Sequence, residues 1–369
     1  MGRGLRILQA SGVILVGTLL LRTSLYAAPE VDTEPITGPV IDLHVHAASR
    51  GRGSTGFTHS DIQDYYKMDF YARGYGLGRE ATDAATDPDI IRALANGIQA
   101  SDQVDQAVVL ALDGVVDADG NLDPDRTLLY VPNDLVAQNT ALHPELHFGA
   151  SINPYRSDAL ERLEQVHDNG AVLVKWIPSF QYIDPSDSTL TPFYERMRQL
   201  ELVLLTHTGN ERSFPGAKDD LSDPRRLTLP LDLGLTVIAA HAASTGEADG
   251  KEYFLHLVDM FADYPNLYTD ISSLTQINKL GYLRRLLDFP DARSRLIYGS
   301  DMPLPNTPLV SPWYFPLSLK VGQMARISRI QNPWDQDVSL KRALGVPSAV
   351  FHRAASLLRI PSAESGPDQ

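Results

Sequence analysis

The stretch 41-IDLHVH-46 places two histidines one residue apart at the end of an apolar run, in a chain that has ten histidines in all. In a β-strand, residues i and i+2 point to the same face, so His44 and His46 are expected to project together. Two imidazoles on one face can serve one metal ion as two ligands. On an exposed edge strand they would be ordinary polar residues, and the rest of the chain decides between the two readings.

The composition narrows the choice. The chain has 369 residues, 43% hydrophobic and 21% charged, the profile of a globular protein. Its formal charge of −14, with no run of Lys and Arg, argues against a nucleic-acid partner. The absence of cysteine removes disulfides and thiolate metal sites. A metal would then sit among histidine, carboxylate and water, a set that suits zinc first, with manganese and iron as alternatives.

Arg3 and Arg6 precede the apolar stretch 12-GVILVGTLLL-21, and small residues follow at Ala27 and Ala28. This order predicts a cleaved signal peptide over residues 1–28 and export, to a bacterial periplasm or the medium. The apolar run is short for a membrane span, which needs about 20 residues. A membrane partner would follow only if the segment stayed uncleaved. Residues 29–37 read as a linker and 361–369 as a disordered tail.

From 38 to 360 the chain alternates short apolar runs with helical patterns. The expected strands are 40–45, 106–112, 147–152, 171–176, 202–206, 235–240, 267–272 and 295–300. Most are rich in Val, Ile and Leu, as strands covered on both faces are. Helical patterns lie between them, for example at 157–170, 192–200 and 252–265. Eight strand–helix repeats predict an α/β (β/α)₈ TIM barrel, and no Gly-x-Gly-x-x-Gly turn supports an open dinucleotide-binding sheet.

A barrel of this kind builds its active site at the C-terminal ends of its strands. His44 and His46 end the first expected strand, and Lys175 lies near the end of the fourth. His207 follows the fifth, His241 the sixth and Asp301 the eighth. Single residues of these types are more often structural, but six at strand ends in register make a site. Asp42 shares the parity of His44 and His46, so it is read either as a partner that orients an imidazole or as a structural hydrogen bond. Trp176 has the opposite parity to Lys175 and is expected to pack against helices. The aromatic insertion 47–80 reads as part of a lid or as a surface excursion. Arg50, Arg52, Arg73 and Trp313 are weaker candidates for substrate contact.

The motifs Asp-x-His-x-His at 42–46, Thr-His-Thr-Gly at 206–209, Ala-His-Ala at 240–242 and Gly-Ser-Asp at 299–301 resemble the amidohydrolase superfamily. Within it the chain is most similar to the amidohydrolase-related branch, which holds aminocarboxymuconate-semialdehyde decarboxylase, resorcylate decarboxylases and pyrone-dicarboxylate lactonase. The likeness runs over about residues 38–358. It implies that His44, His46, His207 and Asp301 hold a divalent metal and that His241 is a ligand or catalytic group. It implies one ion, or two if Lys175 is carbamylated; an unmodified Lys175 would instead anchor a substrate carboxylate or an oxyanion.

The leading expectation is an exported hydrolase of an amide, ester or lactone, working through a metal-activated water, with Asp301 and His241 as catalytic residues. The alternatives are non-oxidative decarboxylation of an unsaturated or aromatic acid in the same site, and a barrel that binds a metal or ligand without turnover. The expected partner is a small molecule that can carry a carboxylate. A homo-oligomer is compatible with the sequence.

Overall fold

The computed structural model describes residues 34–63, 66–77, 84–211, 213 and 215–360. The expected signal peptide and the expected tail lie outside these residues. All eight expected strands form one parallel sheet, here β1 (Ile41–His46), β2 (Gln106–Leu110), β3 (Leu146–Ala150), β4 (Ala171–Trp176), β5 (Val203–His207), β6 (Val237–Ala240), β7 (Leu267–Asp270) and β8 (Leu296–Ile297). Each strand pairs with the next in chain order. The sheet curls until its last strand meets its first. The Leu43 N–H donates to the Tyr298 carbonyl at 3.3 Å, the Asp301 N–H to His44 at 3.0 Å and the His46 N–H to Met302 at 3.0 Å.

The apolar residues sort into two layers. Ile41, Leu43, Val108, Leu110, Leu173, Leu205, Ile238 and Ile297 fill the barrel interior, and Ala354 and Leu358 close it from one end. Val109, Phe148, Val174, Trp176, Leu204 and Val237 face outward against helices such as Ala159–Asp168, Thr191–Gln199 and Tyr253–Asp263. Trp176 stacks on Phe193 and gives its indole N–H to the Ile152 carbonyl, as its parity predicts.

One detail differs from the sequence expectation. Strand β8 is only two residues long because the chain beyond Ile297 leaves ladder geometry to build the site. Asp301 there takes a φ of +69°, a region that non-glycine residues occupy only when their surroundings hold them in it.

The insertion after β1 folds back over the barrel mouth. Its start is fixed by Asp87, whose carboxylate accepts from the Ser49 and Ser54 hydroxyls, each at 2.6 Å, and from the Arg50 N–H at 2.8 Å. The helix Tyr66–Gly74 then packs on the turn after β8. A Cβ at Gly74 would lie 2.7 Å from the Pro303 carbonyl, so only glycine permits this approach.

Candidate active site

β1 delivers both of its histidines to the barrel mouth, although not by plain alternation. Its pairing with β2 shifts register between Asp42 and Val45, so Asp42 and His44 do not share a face. Asp42 turns outward and accepts from the Ser300 N–H at 2.8 Å, the His44 N–H at 3.1 Å and the Trp334 indole at 2.9 Å. Burial raises its carboxyl to about 6. Of its two sequence readings, the structural hydrogen bond is the one that holds, and Asp42 touches no imidazole.

His44 is fully buried. Its Nδ1 lies 2.7 Å from Asp270 Oδ2 and its Nε2 lies 3.1 Å from His46 Nε2. The Asp301 Oδ1 stands 3.3 Å from His46 Nε2 and 3.7 Å from His44 Nε2. Glycine at 299 allows this convergence, since a Cβ there would come within 2.9 Å of His44 Cβ. Among the described residues, His44, His46 and Asp301 form one of two groups whose donor atoms are close enough to share a metal ion. The other is His44, His241 and Asp270.

The hydrogen-bond network assigns the ring protons. A carboxylate only accepts, so His44 carries its proton on Nδ1, facing Asp270, and leaves an unprotonated Nε2. The Ser272 hydroxyl gives its proton to Asp270, so it accepts from His241 Nδ1 at 2.8 Å. His241 therefore also presents an unprotonated Nε2, which suits a ligand or proton acceptor and not a donor to an oxyanion. His207 gives its Nε2 proton to the Gly209 carbonyl at 3.1 Å and leaves Nδ1 bare, 3.7 Å from Glu211 Oε2. Burial keeps these rings neutral. It lowers His44 and His207 to about 4 each, and with Lys279 nearby it drives His241 well below the ordinary value. Burial opposes ionisation of Asp301, yet His241 and His46 hold its carboxyl well below the usual range.

The donor atoms of His44, His46 and Asp301 thus converge on one place. Such a donor set fits a cation. His207 joins the group at its edge, with its ring centroid 5.0 Å from that of His241. Lys175 occupies the centre. Its Nζ lies 3.0 Å from His44 Nε2, and burial lowers its ammonium to about 8. A protonated Lys175 uses the same lone pair that a metal would need.

The cluster floors a cavity of about 800 Å³. Arg50 and Arg52 line it, together with Phe70, Tyr71 and Tyr75 of the insertion, so this segment covers the site as the lid reading expects. The Tyr75 hydroxyl donates to the His46 carbonyl at 3.1 Å. Arg73 points to solvent, and Trp313 sits half exposed in the turn Pro312–Tyr314. Neither is among the described residues that line the cavity.

A model of the amidohydrolase family matches residues 41–314, about three quarters of the chain and all of the strand-end cluster. The chain belongs to the amidohydrolase family. No curated protein sequence matches it. Among solved structures, an uncharacterised TIM-barrel protein from Bordetella bronchiseptica is 19% identical, with a TM-score of 0.53 over 83% of this chain and 99% of that one. A Pseudomonas putida structure described as a 2-pyrone-4,6-dicarboxylic acid hydrolase is 15% identical, with a TM-score of 0.50 over 88% and 98%. A 5-carboxyvanillate decarboxylase from Sphingomonas paucimobilis is 13% identical, with a TM-score of 0.46 over 88% and 100%. At these identities the first two show the shared fold and nothing finer. Amidohydrolase-family members are metal-dependent enzymes, which agrees with the donor set here.

Three residues of the site escape the sequence reading. Asp270 lies 29 residues after His241 and 31 before Asp301, so the strand–helix spacing could have found it. Glu211 and Lys279 sit in loops after β5 and β7, where no periodicity marks them.

Proposed function

We propose that this chain is a metal-dependent hydrolase that cleaves an amide, ester or lactone with water. The observation that carries the proposal is the convergence of His44 Nε2, His46 Nε2 and Asp301 Oδ1 at the floor of a covered cavity. His44, His46 and Asp301 would hold the ion, with His207 and His241 beside them. A divalent ion, zinc in the first instance, supplies Lewis acidity there, which polarises a carbonyl and lowers the pKa of water from about 15.7 towards about 7.

The protein residues supply the rest. Asp301 is ionised and accepts the proton of the attacking water, then returns it to the leaving group. Asp270 fixes the His44 tautomer and, through Ser272, the ring of His241. Phe70, Tyr71 and Tyr75 exclude bulk water from the reacting carbonyl. Lys175 remains unmodified in a single-ion site, and its ammonium would have to leave His44 Nε2 for an ion to use that lone pair.

Export through the N-terminal segment 1–28 belongs to the same proposal and rests on the sequence pattern of that segment.

The test is a screen of amides, esters and lactones with the metal-loaded protein, followed by Asp301→Asn. Loss of turnover with retained metal supports the role of Asp301, and full activity refutes it. Release of CO₂ without consumption of water would replace hydrolysis by decarboxylation in the same site.

A further inference from the structure

The positive φ of Asp301 requires neighbours that fix the turn carrying it. The helix Pro333–Ala343 reaches that turn at three points. The Trp334 indole donates to Asp42 Oδ2 at 2.9 Å, and Asp42 Oδ1 accepts from the Ser300 N–H at 2.8 Å. The Tyr298 hydroxyl donates to Asp337 Oδ2 at 3.1 Å. Lys341 Nζ donates to the same carboxylate oxygen at 2.6 Å and to the Gly299 carbonyl at 2.8 Å.

Lys341 is fully buried and Asp337 is 1% exposed. Such an ion pair contributes little net stability, because desolvation offsets the attraction unless the remaining lone pairs are also satisfied. Among the described residues, Asp337 Oδ1 has no hydrogen-bond partner. What the pair does supply is a charged donor held in a set place against a backbone carbonyl. That carbonyl belongs to Gly299, the residue whose missing Cβ lets His44 approach. Two residues on, the Asp301 N–H donates to the His44 carbonyl at 3.0 Å. The backbone of 299–301 is thus tied to Lys341 and to the strand that carries both β1 histidines.

We propose that Lys341 is a positioning residue for the metal-binding cluster. Through the Gly299 carbonyl it holds the turn 299–301 so that Asp301 Oδ1 meets the Nε2 atoms of His44 and His46. Asp337 keeps the ammonium aimed at that carbonyl. Lys341 is not among the described residues that line the cavity, so it acts through the turn and not on the substrate. The inference rests on the proposed function for the role of Asp301 and adds the residue that keeps it in place.

Two variants separate positioning from stability. Asp337→Asn breaks the ion pair but leaves a donor at 341 for Gly299 and an acceptor for Tyr298. Lys341→Met/Asp337→Asn removes both charges, keeps that acceptor and leaves the Gly299 carbonyl without its donor. Zinc affinity by chelator competition, the absorption spectrum of the cobalt(II)-loaded protein and urea stability are measured on the full chain. Hydrogen exchange over residues 296–304 of the metal-free protein, against 171–176 as reference, needs no ion. The proposal expects the double variant to lose about tenfold or more in zinc affinity, to change the cobalt spectrum and to exchange faster at 296–304 alone. It expects Asp337→Asn to keep wild-type affinity and spectrum whatever stability it loses. A folded double variant that binds zinc within about threefold of wild type overturns the proposal. So does a loss of affinity that follows urea stability across the two variants, the mark of a merely structural lysine. If Asp337→Asn does not fold, the double variant decides: faster exchange confined to 296–304 supports the proposal, and a uniform or absent change overturns it. The same exchange comparison decides if wild type holds no ion, a result that removes the metal-dependent reading alone.

Discussion

Asp270→Asn is the substitution that probes the site most sharply, because it changes one charge and almost no volume. One carboxylate oxygen of Asp270 accepts from His44 Nδ1 at 2.7 Å. The other accepts from the His241 N–H at 2.8 Å, from the Ser272 N–H at 3.2 Å and from the Ser272 hydroxyl. An asparagine has one acceptor oxygen, and the side with three donors claims it. The amide NH₂ then faces His44 Nδ1, and two donors cannot share that contact. His44 must move its proton to Nε2, which removes the lone pair that a metal would use. Losing such a partner behind a metal-binding histidine typically weakens metal affinity 10- to 100-fold, or about 1.4–2.7 kcal/mol. A competition titration against a chromophoric chelator, with circular dichroism to check folding, measures this directly. Affinity within about threefold of wild type in a folded Asp270→Asn protein would refute the tautomer argument.

Three further outcomes follow from the same contacts. Asp42→Ala strands three buried donors, and at roughly 1–3 kcal/mol each it should cost about 3 kcal/mol or more of folding stability in urea titrations. A loss below about 1 kcal/mol would deny Asp42 its structural role. Burial lowers His44 to about 4 in the folded state, so between about pH 6.5 and 4 the unfolded chain binds the extra proton. Stability of the metal-free protein should therefore fall as pH drops through that window, by up to about 3 kcal/mol from this group. His44→Gln should flatten that part of the slope in urea titrations at pH 7, 5.5 and 4.5; an identical pH dependence would contradict the assignment. Lys175→Met removes the ammonium that occupies His44 Nε2 and should leave one ion per chain, bound at least as tightly as in wild type. Loss of an ion on that substitution would instead identify Lys175 as a carbamylated bridge.

The barrel was legible because parallel strands buried on both faces write themselves as apolar runs, and because each strand–helix unit spans a similar length. His44, His46, Lys175, His207, His241 and Asp301 come together because each lies at a strand end, where barrel geometry focuses side chains. Three kinds of information were not local. The register shift in β1 separates Asp42 from His44, and parity alone cannot reveal a shift that depends on the partner strand. Asp270 is hidden inside 267-LYTDIS-272, where one acidic residue in an apolar strand has no sequence neighbour to declare its role. Lys279, Glu211 and the inner side of the lid depend on how loops from β1, β5 and β7 meet over the mouth. The same long-range packing turns Arg73 and Trp313 away from the cavity while bringing Arg50 and Arg52 to its wall.

The central claim is that His44, His46 and Asp301 hold a catalytic divalent ion. Metal content per chain, measured on the purified protein after loading with zinc in the presence of CO₂, tests it most directly, with His46→Ala as the control. The account predicts one tightly held ion in wild type and its loss, or at least a tenfold weakening, in the variant. A folded wild-type protein that retains no ion after loading, or a His46→Ala protein that binds it equally well, would contradict the account.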